Sequence, residues 1–359
     1  MSCCLRTLEL ILPGLLGPIQ DRDAVAAILP AMPSLARLLA RSDVRASRRT
    51  DFEVLLGHAF GVTTPEAHLA ALARQGEAAA AGKPGAHVGW LRADPVHLRI
   101  DMAHARLFGA PMLGLDQAEA DALADVINEH LQADGVTLEV PAPDRWYIGV
   151  PSVPDIRTCS PTTVAGRNVD HFLPRGPDGA RWRGLMNEVQ MLLHEHPVNT
   201  AREARGELPV NSVWVWGAGA VPTAVPQPPD QVFAADPIAH GLAALAGITA
   251  IGLPPSAADV EPSEGRTLLA DSALRDPLVH GEAEAWLGGL QAAEEQWLAP
   301  ALDHLHDGRF ERLVLRTGGA SEFHLTRAQL RYRVWRRQHQ WSRWMETETT
   351  PELPAEAGQ

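Results

Sequence analysis

Cysteine is scarce in this chain of 359 residues, with only three in all. Cys3 and Cys4 sit side by side near the start, and Cys159 is alone in the middle. No CxxC pair and no evenly spaced framework exists, which excludes a zinc ribbon and a disulfide-stapled fold and fits a reducing compartment. Basic charge is also short: 31 Lys and Arg stand against 44 Asp and Glu, a formal net charge of -13. Such a surface repels phosphate backbones and anionic membranes, so general nucleic-acid binding and membrane association are not expected. Long apolar runs are missing as well. Leu8 to Leu16 is largely apolar, but Glu9 interrupts it and a basic leader is nearly absent, so it reads as a buried strand and not a signal peptide. No run approaches the roughly 18 to 20 apolar residues of a membrane helix. A soluble, cytoplasmic protein is the expectation.

What is present suffices for a sizeable core. A hydrophobic content of 45% over 359 residues implies one large domain with an insertion, or two domains. Leu8 to Leu12 ends at Pro13-Gly14 as a core strand ends in a turn. Pro33 then opens a helix carrying Leu35, Leu38 and Leu39. Residues 78–85 are small and loose and read as a linker. Beyond them, a helix over Ala118–Leu131 and two short strands, Thr137–Val140 and Arg145–Val150, form a small inserted α/β unit. Arg183–His194 is helical up to the stop at Pro197. Val210–Trp216 is a strand with Val213 and Val215 on one face and Trp214 and Trp216 on the other. A helix over Pro237–Leu245, a strand over Ile248–Leu253, the longest helix over Glu282–Leu305 and a last core strand over Arg312–Arg316 complete the alternation. That order predicts an α/β fold with a mostly parallel sheet flanked by helices. From Glu346 the acidic, Pro-bearing tail reads as disordered.

The stretch Asn211 to Gly219 is compositionally the most distinctive, a Trp-rich strand running into alternating glycines. Two readings stand: the glycines let the backbone approach a ligand, or the tryptophans fill a core layer and the glycines turn the chain. It is not a dinucleotide fingerprint, because no third glycine follows at the right offset. Just upstream, His194 and His196 flank Glu195, but i and i+2 point to different helix faces and no HExxH pattern is present, so a structural role is expected. Asn199, Arg202 and Arg205 read either as anion contacts or as solvated surface. Arg327 to Trp344 is the one strongly basic stretch, with Arg331, Arg333, Arg336, Arg337 and Arg343 interleaved with Trp335, Trp341 and Trp344. It either docks a partner or packs on the domain with its arginines paired to carboxylates.

Read in order, His196-Pro197-Val198-Asn199, Arg202, Gly206, Pro209, Asn211 and Trp214 to Gly219 resemble the WLWGxG region of archaeal-type cofactor-independent phosphoglycerate mutases and of bacterial Rpf-type regulatory proteins. Gly241-Leu242-Ala243 and Ala246-Gly247-Ile248 extend the resemblance downstream, and Asp94 to Arg99 and Arg145-Trp146-Tyr147 extend it upstream, over about residues 5–320. It implies an alkaline-phosphatase-like core of residues 1–85 and 186–345, a cap-like insert of 86–185, and a tail of 346–359. It also implies two divalent metals flanking a nucleophilic Ser.

The chain departs from that pattern at the decisive places. The family's first strand ends in a metal-binding Asp where Leu12 is followed by Pro13, and its late strand ends in Asp-His where Arg316-Thr317 leads into Gly318-Gly319. Neither Pro nor Gly ligates a metal through a side chain. Asp276 and His280 keep a D-x3-H spacing as a remnant, and Thr50, before Asp51, aligns with the nucleophile. Arg99 and Arg145 fall at substrate-arginine positions, and guanidinium suits phosphate or carboxylate. With Asn199, Arg202, Trp216, Gly217 and Gly219 they form the expected ligand-binding set. The expectation is a mutase-like protein without its two-metal site and without a cofactor, binding a small anionic ligand in a regulatory role. One alternative is an active mutase or phosphatase using manganese or magnesium on carboxylates such as Asp21, Asp23 or Asp271. Another is an interaction protein that docks a protein partner through the Arg/Trp segment.

Overall fold

A computed structural model describes residues 5–19, 25, 27–81, 87–101, 104–165, 167–336 and 340–347. Cys3, Cys4, Asp21, Asp23, Arg337 and the tail from 348 lie outside the described residues. Short turns of helix aside, the chain opens with β1 (Thr7–Ile11), α1 (Pro33–Arg41), β2 (Asp43–Ala46), α2 (Phe52–Ala59) and α3 (Leu69–Ala81). Then come β3 (Gly89–Asp101), β4 (His104–Phe108), α4 (Gln117–Leu131), β5 (Thr137–Ala142), β6 (Arg145–Val150), α5 (Gly179–His194), α6 (Pro197–Ala204) and β7 (Ser212–Gly219). The remainder is β8 (Gln231–Ala234), α7 (Pro237–Leu245), β9 (Ala250–Ile251), β10 (Arg266–Ala270), α8 (Arg275–His280), α9 (Ala283–Ala293), α10 (Ala299–Asp307), β11 (Arg312–Arg316), β12 (Ser321–Thr326) and α11 (Arg327–Tyr332).

Two compact units result. The first comprises Met1–Leu55, Pro229–Phe233 and Ile251–Gln359, and the second Leu56–Pro228 and Ala234–Ala250. The first unit is built on a seven-stranded sheet of order β2-β12-β11-β1-β10-β8-β9. β1 lies parallel to both β10 and β11, while β12 and β2 add an antiparallel edge. The expected mostly parallel sheet flanked by helices is therefore present.

Alternation along β1 gives the sheet two different faces. Leu8, Leu10 and Leu12 enter the core with Leu35 and Leu38 of α1 and Leu290 of α9, each such buried side chain being worth roughly 1.5–3 kcal/mol. On the opposite face Glu9 is 2% exposed, 2.8 Å from Arg316 and 3.9 Å from Arg266. Arg316 also reaches Glu322 at 3.2 Å, and Glu322 lies 3.5 Å from His324. One charged cluster thus joins β1, β10, β11 and β12. Burial pushes the Glu9 carboxyl above its ordinary pKa, against the pull of Arg316 and Arg266.

The longest helical run is interrupted. A π turn over Glu294–Leu298 separates α9 from α10, and Glu294 accepts the backbone N–H groups of Ser34 and Leu35 at 2.6 and 3.1 Å. Met32 at the N-cap of α1 makes no side-chain capping bond, so this carboxylate satisfies the exposed amides of a Pro-initiated helix from another element.

The second unit has an antiparallel sheet of order β4-β3-β6-β5, with β7 also paired to β3. β3 is its hub: residues 89–92 pair with β6, 97–101 with β4, and the stretch from Trp90 to Val96 with β7. Pro95 therefore falls in the gap between the β6 and β4 pairings, where its missing N–H breaks no ladder. Asn128 of α4 brackets β5 by bonding both the carbonyl and the amide of Leu138.

Several expectations need amendment. The Trp-rich strand was expected in the core sheet, but its ladder runs antiparallel to β3, so it belongs to the second unit. That unit is accordingly wider than the 86–185 insert and includes α7. Residues 78–81 close α3 and are not part of a linker, and 82–85 lie outside the described residues. The strand expected over Ile248–Leu253 contracts to two residues. The tail expected to be disordered from 346 begins with two held residues: Glu346 donates its amide to Leu16 and accepts from Ile19, and Thr347 bridges to Ile19. Among the described residues no helix is long and apolar enough to cross a membrane.

Because burial keeps the proton on Glu9 to higher pH in the folded chain than in the unfolded one, the folded state binds more protons there. The stability from this residue is fully present below the unfolded value near 4.5 and declines as pH rises toward the folded value. In urea titrations from about pH 4.5 to about pH 7, the stability of the natural chain relative to Glu9→Gln should fall as pH rises; a pH-independent difference would sink this reading.

Candidate functional site

In the first unit the carboxyl edge of the sheet is where α/β architectures place ligands. Here β1 runs into Leu12-Pro13, and the Gly14 carbonyl accepts the Trp286 indole N–H at 3.0 Å. β10 runs into Asp271, whose two oxygens accept from the Ala273 amide at 2.9 Å and the Trp297 indole at 2.8 Å. β11 runs into Thr317, Gly318 and Gly319. Gly318, at φ 80°, accepts the Thr50 amide at 2.9 Å, while the Thr50 hydroxyl donates to the Arg48 carbonyl at 3.1 Å. At the turn into β12, Glu346 accepts the Ala320 amide at 2.5 Å and lies 2.9 Å from Arg49.

This donor set does not fit a two-metal centre. The one carboxylate on the three strand ends, Asp271, is bound to an indole and an amide. Asp276 and His280 share one face of α8, but Asp276 is 3.2 Å from Arg275, which also holds Glu53 at 2.6 Å. Among the described residues no group of three His, Cys, Asp or Glu could hold a metal ion, and two donors beside a guanidinium form a poor site. The Thr50 hydroxyl donates to a backbone carbonyl, which does not activate it as a nucleophile.

The second unit contains a connected polar chain. Trp216 donates its indole N–H to Asp94 at 2.7 Å. Asp94 also accepts from Arg92 through Nε and a terminal nitrogen, at 2.9 and 2.5 Å. Arg92 lies over the rings of Tyr147 and Trp216, 5.0 and 5.4 Å from their centroids. Its guanidinium reaches the Tyr147 hydroxyl at 3.5 Å, which in turn reaches Glu77 at 3.5 Å, and Glu77 accepts from Arg145 at 2.6 Å. Burial opposes the charged form of Arg92, but the adjacent Asp94 overrides it and raises the guanidinium pKa. Burial likewise holds the Tyr147 phenol protonated. The structure thus links Trp216 with Arg145 through Asp94, Arg92, Tyr147 and Glu77, and it matches both cations of this network, Arg92 and Arg145, with a carboxylate.

The remaining expected ligand residues are not gathered there. Arg99 is exposed and lies seven positions along β3 from Arg92, about 23 Å at the rise of a strand. It stacks on Phe108 at 5.1 Å and stands directly across from Arg106 of β4. Asn199 is buried, with its amide spent on Leu193 and Val210. Arg202 is 0% exposed; it donates to the Leu208 carbonyl at 2.9 Å, to Glu119 at 2.5 Å and to the Leu113 carbonyl. His196 caps α6 through its Nδ1, the structural role expected of it. Gly217, at φ 66°, donates its amide to the Thr158 hydroxyl at 3.3 Å. At Gly219 a Cβ would come within 1.8 Å of the Ala67 carbonyl oxygen, so Gly219 serves a close approach of backbone to backbone, while Gly217 serves the left-handed turn of the chain.

No family profile matches the chain. It is 27% identical over 220 residues to the 2,3-bisphosphoglycerate-independent phosphoglycerate mutase of Methanosarcina acetivorans, a match covering 55% of this chain and 55% of that protein. The enzyme of the same description from Methanosarcina barkeri is 30% identical over 176 residues, 43% of this chain and 44% of the relative. The matches thus span about half the length of these curated relatives. Among solved structures, the PH0037 protein from Pyrococcus horikoshii shares the fold, with a TM-score of 0.50 at 15% identity over 90% of this chain and 88% of that one. The chain is phosphoglycerate-mutase-like.

Replacing Arg202 by Met should lower stability by roughly 1–3 kcal/mol in chemical denaturation, because the Leu208 and Leu113 carbonyls lose their buried donor while Glu119 keeps Arg205. Unchanged stability combined with lost phosphoglycerate binding would instead assign Arg202 to a ligand.

Proposed function

We propose that this chain is a cytoplasmic, mutase-like protein that has lost two-metal phosphoryl transfer and binds a small phosphorylated or carboxylated ligand in a regulatory role. The observation that carries the reading is the donor set at the carboxyl edge of the first unit: Leu12-Pro13, an Asp271 held by Trp297 and Ala273, and Thr317-Gly318-Gly319. Two metals there would need carboxylates and histidines that the strand ends do not supply.

The ligand class follows from the relatives, whose name specifies a phosphoglycerate, a molecule with both a phosphate and a carboxylate. Arg99, one of the expected ligand residues, is the anion contact of this reading, supported by the exposed Arg106 directly opposite, which adds a second guanidinium on the neighbouring strand. Arg145 is engaged with Glu77 and supports the unit's interior. The resemblance to Rpf-type proteins supports a regulatory role. A protein partner is a second reading, favoured by one observation: Tyr332, Val334 and Trp335 are 69%, 66% and 72% exposed on the C-terminal segment.

After incubation with manganese and magnesium salts and dialysis, elemental mass spectrometry should find well under one metal per chain, and the protein should not interconvert phosphoglycerate isomers. About two metals per chain together with turnover would overturn the proposal. Calorimetric titration with 3-phosphoglycerate should show binding that Arg99→Ala weakens about tenfold, the loss of one charge-assisted hydrogen bond.

A further inference from the structure

A cavity of about 440 Å³ opens in the first unit between the ends of α1, α10 and α11. Arg37 and Arg41 of α1, His306 of α10, and Leu330, Arg331 and Tyr332 of α11 line it. Arg37 and Arg41 are one helical turn apart and share a face. The Nε atoms of both are buried and have no hydrogen-bond partner. Arg41 donates a terminal nitrogen to the Leu330 carbonyl, which fixes its direction against α11. No Asp or Glu lines the cavity.

Arg92, Arg145, Arg202, Arg275, Arg316 and Arg333 are each within 3.2 Å of a carboxylate. A chain with 44 acidic and 31 basic side chains has carboxylates to spare, yet the three arginines of this cavity form no ion pair among the described residues. Other arginines without an ion pair, such as Arg175, Arg183, Arg327 and Arg336, donate to backbone carbonyls, so what sets this cluster apart is a pair of buried, unpartnered Nε atoms beside a cavity that no carboxylate lines. Burial and the neighbouring Arg37 hold the Arg41 pKa below its ordinary value, so the cluster is under like-charge repulsion that a bound anion would relieve.

The location separates this cavity from the carboxyl edge of the sheet. α10 ends at Asp307, just before β11 begins at Arg312, and α11 starts directly after β12, whose direction opposes β11. The cavity therefore lies at the amino ends of the parallel strands.

We infer that this cavity binds a small, soluble organic phosphate carrying at least two anionic groups, held by Arg37, Arg41, Arg331 and His306 with its carbon skeleton against Leu330 and Tyr332. The inference goes beyond the proposed function and does not use Arg99 or Arg106. Guanidinium forks suit phosphoryl oxygens, and the volume falls in the range of small-molecule sites, roughly 300–1,000 Å³, larger than a lone phosphate requires. A phospholipid headgroup offers the same chemistry, but the net charge of -13 opposes approach to an anionic membrane.

The test is calorimetric titration of the full chain with inorganic pyrophosphate, with inorganic phosphate and sulfate alongside. Pyrophosphate should bind one site, more tightly than either single anion, and should raise the thermal midpoint. Arg37→Gln and Arg331→Gln should each weaken it about tenfold. Both variants should fold, because each removes a like charge, and unchanged circular dichroism checks this. Arg99→Ala should leave pyrophosphate binding intact, which separates this site from the phosphoglycerate contact. Arg309→Gln, at an exposed arginine paired with Glu261 at 2.8 Å, should also leave it intact. Absence of pyrophosphate binding, or equal losses in Arg309→Gln, would overturn the inference. So would tighter capture by phosphatidylinositol-bisphosphate vesicles than by the soluble probe.

Discussion

Glu9 places a carboxylate in the middle of the central strand of the first unit, where its flanking residues in register are Leu268 and Val314. A buried acid at that position is tolerated by holding its proton to higher pH and by cations close by, and these come from the two neighbouring strands, Arg266 of β10 and Arg316 of β11. The strand order around β1 is thus tied to charge as well as to hydrophobic burial. The leucines on the other face would accept many neighbours, whereas Glu9 is specific about what lies beside it. Arg316 then passes the constraint outward through Glu322 to the antiparallel edge.

The same rule runs through the second unit, where Asp94, Glu77 and Glu119 match the arginines of the interior. Side chains that resemble anion contacts in the sequence are for the most part already answered by the protein's own acids. This shifts attention from arginine itself to arginine without a carboxylate. Among the described residues Arg37 and Arg41 combine that lack of an ion pair with buried Nε atoms that have no hydrogen-bond partner, and Arg99 stands opposite Arg106 on neighbouring strands.

Much of the first unit was legible in the sequence because its elements are locally consistent. β1 and β11 are compact apolar runs, and Pro33 marks a helix start; in the second unit Pro237–Leu245 is likewise helical as expected. β3 was not legible, because Pro95 sits inside it and proline argues against a central strand. Only the gap between two partners, a tertiary fact, makes that proline harmless. Glu77 was hidden by its position beside an Ala- and Gly-rich stretch that reads as a linker, although the helix extends through Ala81. Asn199 and Arg202 show the limit of residue-type reasoning, since an amide and a guanidinium suit a ligand or a backbone carbonyl equally well. The pairing of Arg92 with Asp94 had a faint signal, two opposite charges two positions apart and so on one face of a strand. The cavity between α1 and α11 had none, because its residues are some 290 positions apart, as the Arg41–Leu330 bond shows.

At the turn between β11 and β12, Glu346 occupies the Ala320 amide and the Arg49 guanidinium. The end of the described chain is thereby fastened to the turn that follows the last parallel strand, so a change at Glu346 is felt at Ala320, 26 positions upstream, and the C-terminal segment acts as a clasp on the sheet's edge.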